Sequence, residues 1–212
     1  MSGRDAILAA VRAAIAGAPP PPAEPLAHRR RGDLDPEAVQ ARFLERLADY
    51  DVHIEVLGEA GEIAGVVARR LAERSAETLA APADLPRDWI PAGVDVLVDQ
   101  HLPFAALDTW PSVLTGCALA IAETGTVALD GGPAQGRRAL TLLPDHHLCV
   151  VFADQLVETV PQGLQALRPA VDAGRPLTFF SGPSATADIE FDRVIGVHGP
   201  RRLDILLVRR RT

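Results

Sequence analysis

The chain has 212 residues, 48% hydrophobic and only 4% aromatic, with a formal net charge of -7. This length suits one domain with a terminal extension, its core must be built from Ala, Val, Leu and Ile, and the acidic balance argues against a phosphate backbone as the main partner. All 21 basic side chains are arginine, which excludes a Schiff base, covalently held pyridoxal phosphate and a Walker A lysine, and no apolar run reaches the roughly 20 residues that span a bilayer.

Residues 2–16 carry Ile7, Leu8, Val11 and Ile15 at helical spacing, with Ser2 and Asp5 placed as a capping pair. An amphipathic helix fits this pattern better than a signal peptide does. The run GAPPPPAEP (17–25) then breaks all periodicity and favours an extended polyproline linker. Residues 1–25 therefore form an appendage, and the domain proper spans 36–212. It opens on Asp35-Pro36, a cap followed by proline at the first helical position, with Val39, Phe43, Leu44 and Leu47 on one face.

Beyond this, short apolar runs alternate with helical patterns. Strands are predicted at 52–57, 77–82, 94–99, 125–130, 147–153, 176–182, 193–199 and 203–208. A helix is predicted over 62–74 with Ile63, Val66, Val67 and Leu71 facing inward. The alternation argues for an α/β fold with a mainly parallel sheet and helices on both faces. The last two strand candidates are joined by Gly199-Pro200-Arg201-Arg202, short enough for a hairpin, which would make the sheet mixed.

Three loop-rich segments are candidates for chemistry. The first runs from Thr115-Gly116 through Glu123-Thr124-Gly125-Thr126, where small residues can expose backbone N–H groups beside the Glu123 carboxylate; a structural turn explains it equally well. The second is SGPSATADIE (181–190), hydroxyls and glycine directly after an apolar strand, the recipe for an anion cradle. In it Asp188 and Glu190 could bind a hydroxyl, hold a metal with waters or cap a helix. The third is GVHGP (196–200), whose histidine lies between loop residues and can titrate near neutrality. His146 and His147 point to opposite faces of a regular strand, so the pair cannot chelate one metal and reads as structural. Cys117 and Cys149 lie in apolar runs and read as buried reduced thiols; two cysteines cannot hold a four-cysteine iron–sulfur cluster. There is no dinucleotide fingerprint, P-loop, zinc-protease helix or nucleophile elbow.

Taken together, TGCALAIAETGTVALD (115–130), LTLLPDHHLCVVFADQLVETVPQGLQAL (140–167), SGPSATADIE (181–190) and GVHGP (196–200) resemble the lactate-utilization C, or LUD-domain, family over about residues 36–212. The resemblance implies a three-layer α/β/α fold similar to the sugar-phosphate isomerase and CoA-transferase superfamily. It also implies a cytoplasmic subunit that works beside iron–sulfur partner proteins to oxidise L-lactate to pyruvate. No cofactor is then expected in this chain, the clusters residing on the partners, and no metal, nucleic acid or membrane span is implied. Its site positions map onto Glu123, Asp188 and His198 as catalytic groups. Thr124, Gly125, Thr126, Ser181, Gly182, Ser184, Thr186 and Glu190 map as ligand-binding positions. The family often has a basic residue where this chain has Ala185, which leaves Arg137 and Arg138 to supply that charge, and Cys117 stands where alanine is expected. Two other readings stay open: a stand-alone CoA-transferase-like or sugar-phosphate enzyme with Glu123 as nucleophile, and a non-catalytic scaffold. The common expectation is that Glu123, Ser184, Asp188 and His198 converge on one pocket at the strand ends.

Overall fold

The computed structural model describes residues 2–17, 32–101, 103–187, 193–195 and 199–211. In chain order its elements are α1 (Gly3–Ile15), α2 (Pro36–Ala48), β1 (His53–Glu59), α3 (Ile63–Ala72), β2 (Thr78–Pro82), β3 (Asp95–Asp99), α4 (Phe104–Asp108), β4 (Ser112–Thr115), β5 (Leu119–Ile121) and β6 (Thr126–Leu129). There follow α5 (Arg138–Leu142), β7 (His146–Phe152), β8 (Leu156–Val157), α6 (Val160–Ala166), α7 (Arg168–Asp172), β9 (Thr178–Phe180), β10 (Ala185–Ala187), β11 (Arg193–Ile195) and β12 (Arg202–Arg210).

The predicted helix starts are present. Ser2 Oγ accepts from the Asp5 backbone N–H while the Asp5 carboxylate accepts from the Ser2 backbone N–H. Asp35 accepts from the Ala38 N–H at 2.8 Å, with Pro36 in the first turn of α2. The two helices then differ: α1 buries none of its residues, whereas α2 buries Val39, Phe43 and Leu47.

Six strands form the main sheet in the order β1-β12-β7-β4-β2-β3, every adjacent pair parallel. The expected hairpin across residues 199–202 does not form. β12 lies between β1 and β7 and runs parallel to both, while β11 pairs antiparallel with β10 in a separate ribbon. Burial is the reason: residues 203–208 are buried without a break, the pattern of a strand covered on both faces. A second sheet, β8-β5-β6-β9, pairs β6 antiparallel with both β5 and β9. It incorporates the 125–130 strand candidate and places β5 inside the stretch read as loop, residues 115–126.

One face of the main sheet packs against α3 through Ile63, Val66, Val67 and Leu71, together with Trp89. The other face meets Phe43 and Leu47 of α2 and Ala120, Val127 and Leu129 of the second sheet. The outward face of that second sheet is covered by Val160 of α6 and by Leu167.

Gly125, at the β5–β6 turn, fixes how α2 seats on this assembly. Its φ is +61°, and a Cβ there would stand 2.9 Å from Arg46 Cβ and 3.0 Å from the Arg46 carbonyl carbon. Gly125→Ala combines left-handed strain with overpacking against backbone, so we expect a loss of about 2 kcal/mol or more. Urea unfolding at pH 7 measures it; a midpoint equal to that of the parent protein would show that α2 does not rest on this turn.

Candidate functional site

The three motif segments meet. Thr126 Oγ1 lies 2.7 Å from Thr124 Oγ1 and 2.9 Å from Ser181 Oγ, a hydroxyl chain tying the β5–β6 turn to the segment after β9. The Ser184 N–H donates to the Pro200 carbonyl at 2.7 Å, tying that segment to the entry of β12. A Cβ on Gly182 would lie 2.9 Å from Tyr50 Cβ, so glycine is required by packing there. Ser184, Gly199 and Pro200 line a pocket of about 140 Å³ with Phe180 and His147. Thr186 is on β10, while Asp188, Glu190 and His198 lie outside the described residues.

Glu123 has a different place. Its Oε2 accepts from the Val160 N–H at 3.1 Å, its own N–H donates to the Glu158 carbonyl, and Thr159 also caps the same helix. The carboxylate thus serves the start of α6, and it borders neither of the two larger clefts described next.

These motif loops lie at the amino-terminal entry to β12 and β7. The opposite edge holds a larger cleft of about 780 Å³, lined by residues just past the carboxyl ends of five parallel strands: Ala60, Asp84, Gly116, Asp154 and Arg211 mark β1, β2, β4, β7 and β12. That edge is where open parallel sheets place their ligands. Sequence reasoning missed it because its lining comes from single residues at five separate strand ends.

A loop over residues 130–138, DGGPAQGRR, forms one rim. Gly131, Ala134 and Gly136 have φ of 66°, 58° and 68°; at Ala134 this is a conformation a side chain rarely adopts. The loop is held from within and without. The Asp130 N–H donates to Gln135 Oε1 at 2.7 Å, Gln135 Nε2 returns a bond to Asp130 Oδ1, and the Ala134 N–H donates to Asp84. The available sequence signal was the Gly131-Gly132-Pro133 run followed by Gly136.

Across that loop lies a second cleft of about 360 Å³, lined by His101, Arg137, Arg138 and Arg175. Arg137 makes a two-point bond to Asp99, at 2.6 and 3.0 Å, and Arg175 pairs with Asp130 at 2.9 Å. Arg138 is exposed, its carbonyl accepts from Thr141 Oγ1 at 3.1 Å, and its guanidinium makes no hydrogen bond or ion pair among the described residues.

The fully buried polar groups are structural. Ser112 Oγ lies 3.1 Å from His146 Nδ1, and His146 Nε2 lies 3.4 Å from Asp204 Oδ1. These are the residue types of a nucleophile triad, yet exposures of 0%, 0% and 1% leave no access for a substrate. Arg70 and Arg202 approach Asp204 at 3.3 and 3.2 Å. Burial opposes the Asp204 charge, but His146 and Arg202 hold its carboxyl below the ordinary range. His146 is lowered by burial against the pull of Asp204. Cys117 and Cys149 are free and buried. Hydrogen bonding with Cys149, then burial, pushes the Cys117 thiol well above its usual range, which makes it a poor nucleophile.

His147 sits on the opposite face, as expected of adjacent strand residues, with Nε2 2.8 Å from Thr115 Oγ1. Burial and the nearby His146 lower it to about 3. A histidine depressed in the folded state is neutral there while its unfolded counterpart protonates below about 6.5. Its contribution is therefore complete above that pH and is lost as pH falls from 6.5 towards 3, at about 1.4 kcal/mol per pH unit. We expect denaturant stability to decline along this slope between pH 6.5 and 4.5. His147→Asn should be less stable at pH 7 but markedly flatter; an unchanged slope in that variant would remove His147 as its source.

Comparison with known proteins places these features in context. A model of the LUD domain matches residues 105–208. A lactate utilization protein C from Deinococcus radiodurans is 44% identical over 203 residues, covering 95% of this chain and 93% of that protein. One from Shouchella clausii is 35% identical over 98 residues, 45% of this chain and 42% of its own. A crystal structure of a DUF162 family protein from Deinococcus radiodurans superposes with a TM-score of 0.72 at 41% identity, covering 83% of this chain and 99% of that one.

Proposed function

This chain belongs to the LUD-domain family of lactate utilization C proteins, and from that premise we infer that it is a cytoplasmic subunit of a bacterial L-lactate utilization system. In this reading it binds a small carboxylate and works beside iron–sulfur proteins that carry the electrons released as L-lactate becomes pyruvate. The observation that carries the reading is the near full-length likeness to a lactate utilization protein C. Among the described residues, no helix is long and apolar enough to cross a membrane.

Arg138 supports the ligand half of the proposal. Its guanidinium borders the 360 Å³ cleft beside Arg175 and Arg137, and both of those already hold carboxylates within the fold. A planar fork of N–H donors matches a carboxylate in two-point geometry. A glutamyl thioester at Glu123 gains no such support, because that carboxylate is engaged at the start of α6.

The test is reconstitution. The purified chain alone should not oxidise L-lactate, the mixture with its iron–sulfur partners should, and omission of this chain should abolish the activity. Full activity without the chain would overturn the assignment. In calorimetry, Arg138→Ala should weaken lactate or pyruvate binding by roughly tenfold, the scale of one charge-assisted hydrogen-bonded contact. Unchanged binding would move the ligand out of this cleft.

A further inference from the structure

The pocket of about 140 Å³ where the motif loops meet differs in chemistry from both larger clefts. Its walls include Leu142, Phe180 and Leu203. Among the described residues that line it, His147 alone can ionise. Burial and the nearby His146 lower that histidine to about 3, so it stays neutral at pH 7. These walls therefore offer no charge to an anion and no counter-charge to a cation.

His147 itself has a bond to spare. The residue is 2% exposed. Its Nε2 is held 2.8 Å from Thr115 Oγ1, and the Phe180 ring tilts against it with centroids 5.4 Å apart. Nδ1 has no hydrogen bond among the described residues, and it is not one of the polar atoms sealed inside the fold without a partner. A ring nitrogen that is neither bonded nor sealed faces open space, and the space that this ring borders is the pocket. One such polar anchor among apolar walls is how a small-molecule site orients its ligand.

We propose that the motif pocket binds a small neutral hydroxyl compound, a phenol or an alcohol of similar bulk, whose hydroxyl bonds His147 Nδ1 and whose hydrocarbon body packs against Phe180, Leu142 and Leu203. A hydroxyl both donates and accepts, so it satisfies Nδ1 in either tautomer of the ring. The size agrees, since an apolar cavity of about 150 Å³ accommodates benzene. The inference does not rest on the role in lactate utilization, because Arg137, Arg138 and Arg175 line the neighbouring cleft and not this pocket.

Nitrogen NMR of the full-length protein carrying isotope-labelled histidine reads Nδ1 directly. At pH 7, phenol should shift the His147 Nδ1 resonance saturably. Toluene, which has a methyl group in place of the hydroxyl, and benzoate, which brings a charge, should leave it in place at the same concentrations. Gly199→Ala narrows the pocket without touching the histidine. A Cβ there would stand 3.4 Å from Ser184 Cβ and 3.8 Å from Leu142 Cδ2, both ordinary van der Waals distances. The variant should therefore melt like its parent and bind phenol roughly tenfold more weakly. Three results would overturn the proposal: an Nδ1 resonance that phenol does not shift, an equal shift with toluene or benzoate, or unaltered phenol affinity in a folded Gly199→Ala protein.

Discussion

The arrangement depends on one constraint, the parallel pairing of β12 between β1 and β7. Six successive buried residues force this strand into the centre, and parallel neighbours place every chain end of one polarity on the same edge. The carboxyl edge collects the loops that enclose the large cleft. The amino edge collects Ser112, His146, Arg202 and Asp204, adjacent through the strand register.

That amino edge illustrates how a buried charge is kept in a fold of this kind. Asp204 is 1% exposed and would be costly alone. Arg70 and Arg202 close on it, and Arg70 extends the contact to Glu55 and Glu73 at 3.2 Å each. Glu55 is in turn paired with Arg69. The network links β1, α3 and β12, so the helix on one face is fixed to the sheet by charge as well as by Ile63, Val67 and Leu71. In residue type it imitates catalysis; its burial assigns it to architecture.

Much of the fold was legible because local chemistry and tertiary packing agreed. Capping residues marked the starts of α1 and α2, and continuous apolar runs marked five of the six main strands. β4 escaped because four residues with a hydroxyl at each end look like the loop they adjoin, and only burial between β7 and β2 makes them a strand. The second sheet escaped because β5 has just three residues and pairs across a tight turn. The structure ties the motif loops together at Thr126, Ser181, Ser184 and Pro200, while of the four residues expected to converge, Asp188 and His198 lie outside the described residues. Glu123 shows the limit of that reasoning: a carboxylate beside a glycine turn has the same sequence signature whether it meets a substrate or a helix end. His147, read as structural, proves to line the motif pocket as well.

The 130–138 loop separates two compartments of opposite charge, and Asp130 and Gln135 line both. The partition is cross-braced by the hydrogen bonds between Asp130 and Gln135 and passes through Ala134, whose φ of 58° is in the left-handed region. It therefore has little freedom to yield on one side alone. A displacement of Gln135 towards either side reshapes the wall seen from the other. A shared wall thus makes the shape of each cleft depend on the other, with no moving domain between them.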